Sequence, residues 1–143
     1  MSVSPRAEHC PECGSPRSGG LGCWERLGAI IAWEADDPAL QREHFLTVAS
    51  YNLQHPAQYT DAAIAGLREV YVEHLDRGIP IAEIRRRVSA ATEGSTRVRR
   101  DERDRRPVQR DWPMTIADVY LDGDPRGAAD RVRRWAHAIR GLL

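Results

Sequence analysis

Lysine is absent from this sequence of 143 residues, and all 21 of its basic side chains are arginines. The absence excludes chemistry that depends on a lysine amine, such as Schiff-base catalysis and phosphate-binding loops that end in lysine. The basic residues are matched by 21 acidic ones, so the net charge is zero. This balance excludes a simple polycation that coats nucleic acid or membranes, and it excludes an acidic disordered tail.

Long hydrophobic runs are also missing. The longest apolar stretch, Gly28 to Trp33, is too short to span a bilayer. The first residues lack the basic stretch and following apolar run that form a secretory signal. We therefore expect a cytoplasmic protein that has no membrane partner.

Cysteine is scarce, with three residues in the chain. A domain of this length buries about two-thirds of its unfolded surface and needs no disulfide for stability. In a reducing compartment, a small odd number of cysteines is also poorly suited to a disulfide framework. The three cysteines therefore favour metal binding.

The period-two alternation that is typical of strands is absent, and the apolar positions recur at helical spacing. We predict an all-α fold, a small bundle of about five to six helices whose N-terminal metal-binding loop packs on the first helical hairpin. One domain is expected over 1–143. Its predicted parts are the metal-binding loop 1–22, a helical core 23–91, an arginine-rich linker 92–113 and C-terminal helices 114–143.

Start and stop signals place six helical segments. They are 23–35, Pro38 to Gln54 after an Asp37 cap, Thr60 to Gly78, a helix opened by Pro80, a short helix with a Thr115–Asp118 capping box, and a last helix opened by Asp124 and Pro125.

The string Cys10-Pro11-Glu12-Cys13-Gly14 is the most specific motif in the chain. Two thiolates at this spacing can bind one tetrahedral ion, and a glycine after the second cysteine permits a positive φ. A redox CxxC motif is the alternative, but that motif normally follows a strand, and this loop is rich in proline and glycine. We predict a metal site, with zinc as the ion, although iron accepts the same ligands.

The other two ligands are predicted from helix geometry. If 23–35 and 38–54 form an antiparallel hairpin, Cys23 lies level with the end of the second helix, where His55 stands. The predicted ligands are therefore Cys10, Cys13, Cys23 and His55. Tyr51 and Gln54 could orient His55, although core packing explains Tyr51 equally well.

Each of these residues has another interpretation. Cys23 could be a small buried hydrophobic residue, and His55 could be a polar residue at a helix end. His44 is the alternative ligand, but it lies about 16 Å from His55 along a straight helix, so we interpret it as a satisfied, half-buried histidine. The remaining histidines are assigned to the surface or to packing. They are His9, His74 and His137.

These strings together resemble a bacterial family catalogued as domain-of-unknown-function family 5946. The resemblance covers nearly the whole chain. It rests on CPECG, Cys23-Trp24, His44 with Thr47-Val48, Tyr51 to Pro56, Thr115 to Val119, and Val132 with Trp135-Ala136. It implies a shared helical fold and a shared metal site, but no activity, because the family's function is unknown. The linker of this chain is more charged than is typical of the family.

Two classes of function fit these observations. A closed site of four protein ligands would be structural, in a small helical binding or regulatory module. A zinc-dependent, hydrolase-like enzyme would instead need three ligands and an open position, with Glu34, Glu43 or His44 as the base. Sulfur-rich sites favour the structural role.

Nucleic-acid binding through the run from Arg97 to Arg110 is a third alternative. The run holds seven arginines and three acids. The acids interrupt it, and Trp112 is the only aromatic residue nearby, so a solvated charged segment is the favoured interpretation. Which reaction or partner the chain serves is not encoded in any motif.

Overall fold

The computed structural model describes residues 8–17, 20–92 and 98–143. These residues contain seven α-helices and no strand, apart from two isolated bridges. The all-α prediction is therefore confirmed. The helices are α1 (Cys23–Trp33), α2 (Pro38–Arg42), α3 (His44–Gln54), α4 (Asp61–Arg77), α5 (Ile81–Thr92), α6 (Ile116–Tyr120) and α7 (Ala128–Arg140).

Several helix boundaries follow from the local signals in the sequence. The Asp37 carboxylate accepts a bond from the Leu40 amide at 3.1 Å and so caps α2. The Thr60 hydroxyl caps α4 in the same way, and Gly78 ends that helix in the left-handed conformation, with φ at +67°. The predicted Thr115–Asp118 capping box is present at the start of α6.

The predicted helix from Pro38 to Gln54 is two helices. Glu43 separates α2 from α3 because its backbone leaves the helical region, at φ −95° and ψ 12°. Its amide bonds to the Leu40 carbonyl at 2.9 Å in a tighter turn, and its carboxylate accepts a bond from Arg133 at 2.9 Å. This break accounts for seven helices where about five to six were expected.

Two other boundaries differ from the prediction. Helix α1 ends at Trp33, and a 3₁₀ turn continues it over Glu34–Asp36. The last helix begins at Ala128 and not at Pro125, because the chain first makes a turn. In that turn the Asp124 carboxylate accepts the Arg126 amide at 3.0 Å, and Gly127 has a φ of +72°.

The helices enclose one core. Helix α1 packs against α6, α7 packs against α3 and α6, and α4 packs against α3. The large side chains at the centre are fully buried, and they are Ile30, Leu40, Tyr71, Ile116, Trp135 and Ile139. At one end of the bundle, α1 begins where α3 finishes, so these two helices run in opposite directions.

Residues 98–112, which precede α6, lie along the surface of the bundle. Their backbone pairs with the stretch before α4, where the Thr60 amide bonds to the Val98 carbonyl and the Arg100 amide to the Gln58 carbonyl, both at 2.9 Å. Part of the predicted linker, 93–97, lies outside the described residues. Among the helices of the described ranges, none has the length and apolarity needed to cross a bilayer.

Candidate metal centre

The two cysteines of the CPECG string lie in a tight reversal of the chain over residues 8–17, which we call the knuckle. The Cys10 carbonyl accepts the Gly14 amide at 3.0 Å, and the Cys10 amide donates to the Ser15 carbonyl at 2.9 Å. Gly14 has a φ of +78°, as the sequence predicts for this position. An isolated antiparallel bridge between His9 and Pro16 closes the reversal. The turn therefore brings Cys10 and Cys13 to one side.

The structure brings all four predicted ligands together. Each of Cys10, Cys13, Cys23 and His55 offers one ligand atom, and these atoms all lie within 4.8 Å of one another. Cys23 begins α1, and His55 follows the last residue of α3. The antiparallel arrangement of α1 and α3 therefore places them at the same level, as the helix arithmetic predicts.

The distances suit a tetrahedral ion. Bonds of about 2.3 Å from zinc to sulfur give sulfur-to-sulfur edges of about 3.8 Å in a regular tetrahedron. The sulfurs of Cys13 and Cys23 are 3.6 Å apart. Both cysteines are buried, and Cys10 is partly buried. These four residues thus form a possible metal site.

His55 is held with one ring nitrogen available to a metal. Its Nδ1 lies 2.7 Å from the Tyr51 carbonyl oxygen, and because a carbonyl can only accept, Nδ1 carries the proton. The buried Nε2 atom has no hydrogen-bond partner among the described residues. The Tyr51 ring also stacks on the imidazole, with centroids 4.1 Å apart. Tyr51 therefore fixes the orientation of the ring and leaves Nε2 as the nitrogen that can bind a metal.

Gln54, the other residue predicted to orient His55, has a different role. Its amide nitrogen donates to the Met114 carbonyl at 2.8 Å, and its oxygen accepts the Trp135 indole N–H at 3.1 Å. Gln54 therefore joins α3 to α7 and to the residues before α6.

The four groups compete for protons. The thiols of Cys13 and Cys23 bond to the Cys10 sulfur and lower the pKa of Cys10 far below its usual value. The sulfurs of Cys10 and Cys13, together with burial, raise the pKa of Cys23. Burial disfavours the charged form of His55, but the nearby sulfurs of Cys10 and Cys13, together with the Tyr51 carbonyl, outweigh that effect and raise the pKa of His55 to about 10. A cation that replaced these protons would relieve the competition.

Three neighbours of the site had no signal in the sequence. The Ser15 hydroxyl lies 3.0 Å from the Cys23 sulfur and 3.3 Å from the Cys13 sulfur. Arg26 is buried beside the knuckle and donates to the Pro16 carbonyl at 2.6 Å. Glu12, between the two knuckle cysteines, has its pKa raised by burial, and the charge of His55 opposes that shift.

The remaining histidines lie elsewhere. His44 is not part of the cluster. Its Nδ1 is 2.9 Å from the carboxylate of the buried Glu34, and its side chain is 52% exposed, so it is paired but less buried than predicted. His74 donates to the Ile79 carbonyl at 2.8 Å. His9 and His137 are exposed, as expected.

The arginine-rich segment packs partly against the knuckle. The Arg110 amide bonds to the Glu12 carbonyl at 3.3 Å, and its guanidinium lies over the Trp112 ring and donates to the Leu142 carbonyl. Arg100 pairs with Asp61 at 2.7 Å. The guanidinium groups of Arg100 and Arg110 are therefore engaged within the chain.

Comparison with known proteins identifies a family for this chain, and the description of that family names no activity. Neither the curated proteins nor the solved structures include a match to this chain. A family model described as "Family of unknown function (DUF5946)" matches residues 8–141, which include all four residues of the cluster. The chain therefore belongs to the DUF5946 family.

Proposed function

We propose that this protein binds one Zn²⁺ ion through Cys10, Cys13, Cys23 and His55, and that the site is structural. The observation that carries the proposal is the convergence of four ligand atoms within 4.8 Å of one another. Three sulfurs and one imidazole nitrogen form a donor set that zinc accepts in closed structural sites.

The same convergence favours a structural role over a catalytic one. A zinc hydrolase keeps one coordination position open for water, whereas four protein ligands fill a tetrahedron. Two of the three candidate bases are also engaged elsewhere, because Glu34 pairs with His44. The third, Glu43, pairs with Arg133. We therefore do not propose a hydrolase.

A bound ion would join three separate parts of the chain. Cys10 and Cys13 lie in the knuckle, Cys23 begins α1, and His55 follows α3. The knuckle has few apolar side chains with which to hold itself on the bundle, so the free energy of metal binding would supply its attachment. We propose that the metal-loaded protein is a binding or regulatory module of the cytoplasm, where thiols remain reduced.

Elemental analysis of the purified protein tests the zinc proposal. We expect about one zinc per chain, because one tetrahedral ion uses all four ligands. The variants Cys10→Ser, Cys13→Ser, Cys23→Ser and His55→Ala should each lose or weaken binding. His44→Ala is the matched control on the same helix, and it should keep the metal because His44 lies outside the cluster.

The spectrum of the cobalt(II) form adds a test of the ligand set. Tetrahedral cobalt with three thiolates should give strong sulfur-to-metal charge-transfer bands, and each cysteine variant should weaken them. Full zinc retention in a Cys10→Ser, Cys13→Ser double variant would exclude the site. Loss of zinc from His44→Ala together with retention in His55→Ala would exclude the ligand assignment.

A further inference from the structure

Arg26 is an arginine with no evident counter-charge. Its side chain is only 3% exposed, on the inner face of α1. One nitrogen, Nη2, donates to the Pro16 carbonyl at 2.6 Å. The Nε and Nη1 atoms are buried and have no hydrogen-bond partner within the described ranges. Because arginine stays protonated in proteins, this is a buried positive charge.

The acidic side chains of α1 and of the residue that follows it are committed to other groups. Glu25 accepts the Gly22 amide at 3.1 Å, and Glu34 pairs with His44. Glu12 of the knuckle has a buried Oε2 without a hydrogen-bond partner among the described residues, but the charges that act on this carboxylate are those of His55 and Cys10. None of the ion pairs found among the described residues includes Arg26. A buried charge that lacks a counter-charge is strongly destabilising, because it has lost its hydration and gained no compensating interaction. A counter-charge close to Arg26 is therefore expected.

The proposed metal site has the required sign. Three thiolates carry three negative charges and a divalent ion carries two positive ones, so the metal-loaded site has one net negative charge. Arg26 stands one helical turn after Cys23 on α1. It bonds to Pro16, the neighbour of Ser15, whose hydroxyl contacts the sulfurs of Cys13 and Cys23. The buried cation and the sulfur cluster thus meet at the same loop.

We propose that Arg26 is the counter-charge of the metal-loaded site and a positioning residue for its thiolates. The inference rests on the proposed zinc site. The buried guanidinium would balance the net negative charge that three thiolates and one divalent ion leave at this end of α1. Metal affinity and the buried charge of Arg26 are therefore coupled.

Zinc affinity measured by competition with a chromophoric chelator tests this coupling. Arg26→Gln removes the charge but keeps a donor for the Pro16 carbonyl, and we expect it to weaken zinc binding by about 10–100-fold. Arg26→Met removes charge and donor and should have a similar or larger effect. Arg26→Lys keeps the charge and should restore most of the affinity.

Two control variants distinguish an electrostatic effect on zinc affinity from an effect on the stability of the fold. Arg131 is also buried, but all three of its guanidinium nitrogens donate to carbonyls, those of Val119, Asp124 and Arg126. Arg131→Met should lower the melting temperature and leave the zinc affinity of the folded protein unchanged. Arg134→Met, at an exposed position of α7, should change neither quantity.

A double-mutant cycle distinguishes an electrostatic role of Arg26 from a purely structural one, because only an electrostatic role depends on the charge of the metal-loaded site. Cys10→His makes the metal-loaded site neutral, so Arg26→Gln should cost much less zinc affinity in that background than in the natural chain. An equal loss of zinc affinity in both backgrounds would overturn the charge assignment. An Arg26→Lys variant that binds zinc no more tightly than Arg26→Gln would also overturn it. Natural affinity in Arg26→Gln would overturn the inference while leaving the zinc site intact. A natural chain that binds no zinc would overturn both.

Discussion

At the scale of single residues, Gln54 shows how one polar side chain can join separate parts of a helical core. It is 1% exposed, and both ends of its amide are used. The nitrogen donates to the Met114 carbonyl before α6, and the oxygen accepts the Trp135 indole N–H of α7. Buried polar groups are tolerated when they are paired in this way.

Replacement of Gln54 by leucine should therefore be costly. Leucine leaves the Met114 carbonyl and the Trp135 N–H buried without partners, so we expect Gln54→Leu to lower the free energy of unfolding by about 2–4 kcal/mol. Urea denaturation followed by circular dichroism measures the change. Gln41→Leu, at an exposed position of α2, is the control and should have little effect. A Gln54→Leu variant as stable as the natural chain would contradict this account of the core.

The four candidate ligands were predictable because their signals are local. The spacing of Cys10 and Cys13 is a motif in itself, Pro56 marks the helix end at His55, and helix lengths in an antiparallel hairpin place Cys23 level with His55. Ser15 and Arg26 were not predictable. Serine in a loop and arginine on a helix are ordinary surface residues, and their burial depends on how the knuckle folds over α1.

At the scale of elements, the boundaries set by caps were predictable and those set by tertiary contacts were not. Asp37, Thr60 and Gly78 act through their own backbone neighbours. The break at Glu43 instead accompanies a distant contact, the ion pair with Arg133 of α7, which no local pattern encodes. The late start of α7 comes from a local turn, in which Asp124 accepts the Arg126 amide, Gly127 has a positive φ, and Arg131 bonds to the carbonyls of Asp124 and Arg126.

The packing of α4 against α7 has an electrostatic signature that can be measured. Two nitrogens of Arg140 on α7 donate to the Asp76 carboxylate of α4, Nη2 at 2.8 Å and Nε at 3.1 and 3.3 Å. These bonds lower the pKa of Asp76, with smaller contributions from Arg77 and His137. A lowered pKa in the folded state means that the pair adds stability above the ordinary aspartate pKa. That stability is lost as the pH falls through the pKa of the folded state.

An NMR titration of the Asp76 carboxyl carbon should therefore give a midpoint below the ordinary value of about 3.9. Arg140→Met should move the midpoint up towards that value and should flatten the acid dependence of stability. Because the pair is exposed, the stability at neutral pH should change little. Arg134→Met is the control from the same helix, and a midpoint that is unchanged in Arg140→Met would show that the two helices do not meet through this pair.

At the scale of the whole molecule, the helices supply most of the apolar core and the knuckle supplies little of it. The central side chains Ile30, Leu40, Tyr71 and Trp135 come from α1, α2, α4 and α7 and are fully buried. The knuckle adds the buried Cys13 to this core, and the partly buried Cys10 packs against it. The knuckle also contacts α1 through sulfur and hydroxyl groups, and it contacts the arginine-rich segment through the Arg110 amide. Local stability should therefore differ between these regions.

Removal of the metal should accordingly loosen one end of the molecule and spare the rest. Hydrogen–deuterium exchange of the chelator-treated protein should show faster exchange over residues 8–17 and at the Arg110 amide, because that amide loses the Glu12 carbonyl when the knuckle detaches. The amides of α4 and α7 should remain protected, since the core that covers them does not include the ion. Added zinc should restore protection and raise the melting temperature in a concentration-dependent way. Uniform loss of protection in all seven helices would instead mean that the ion is required for the fold as a whole.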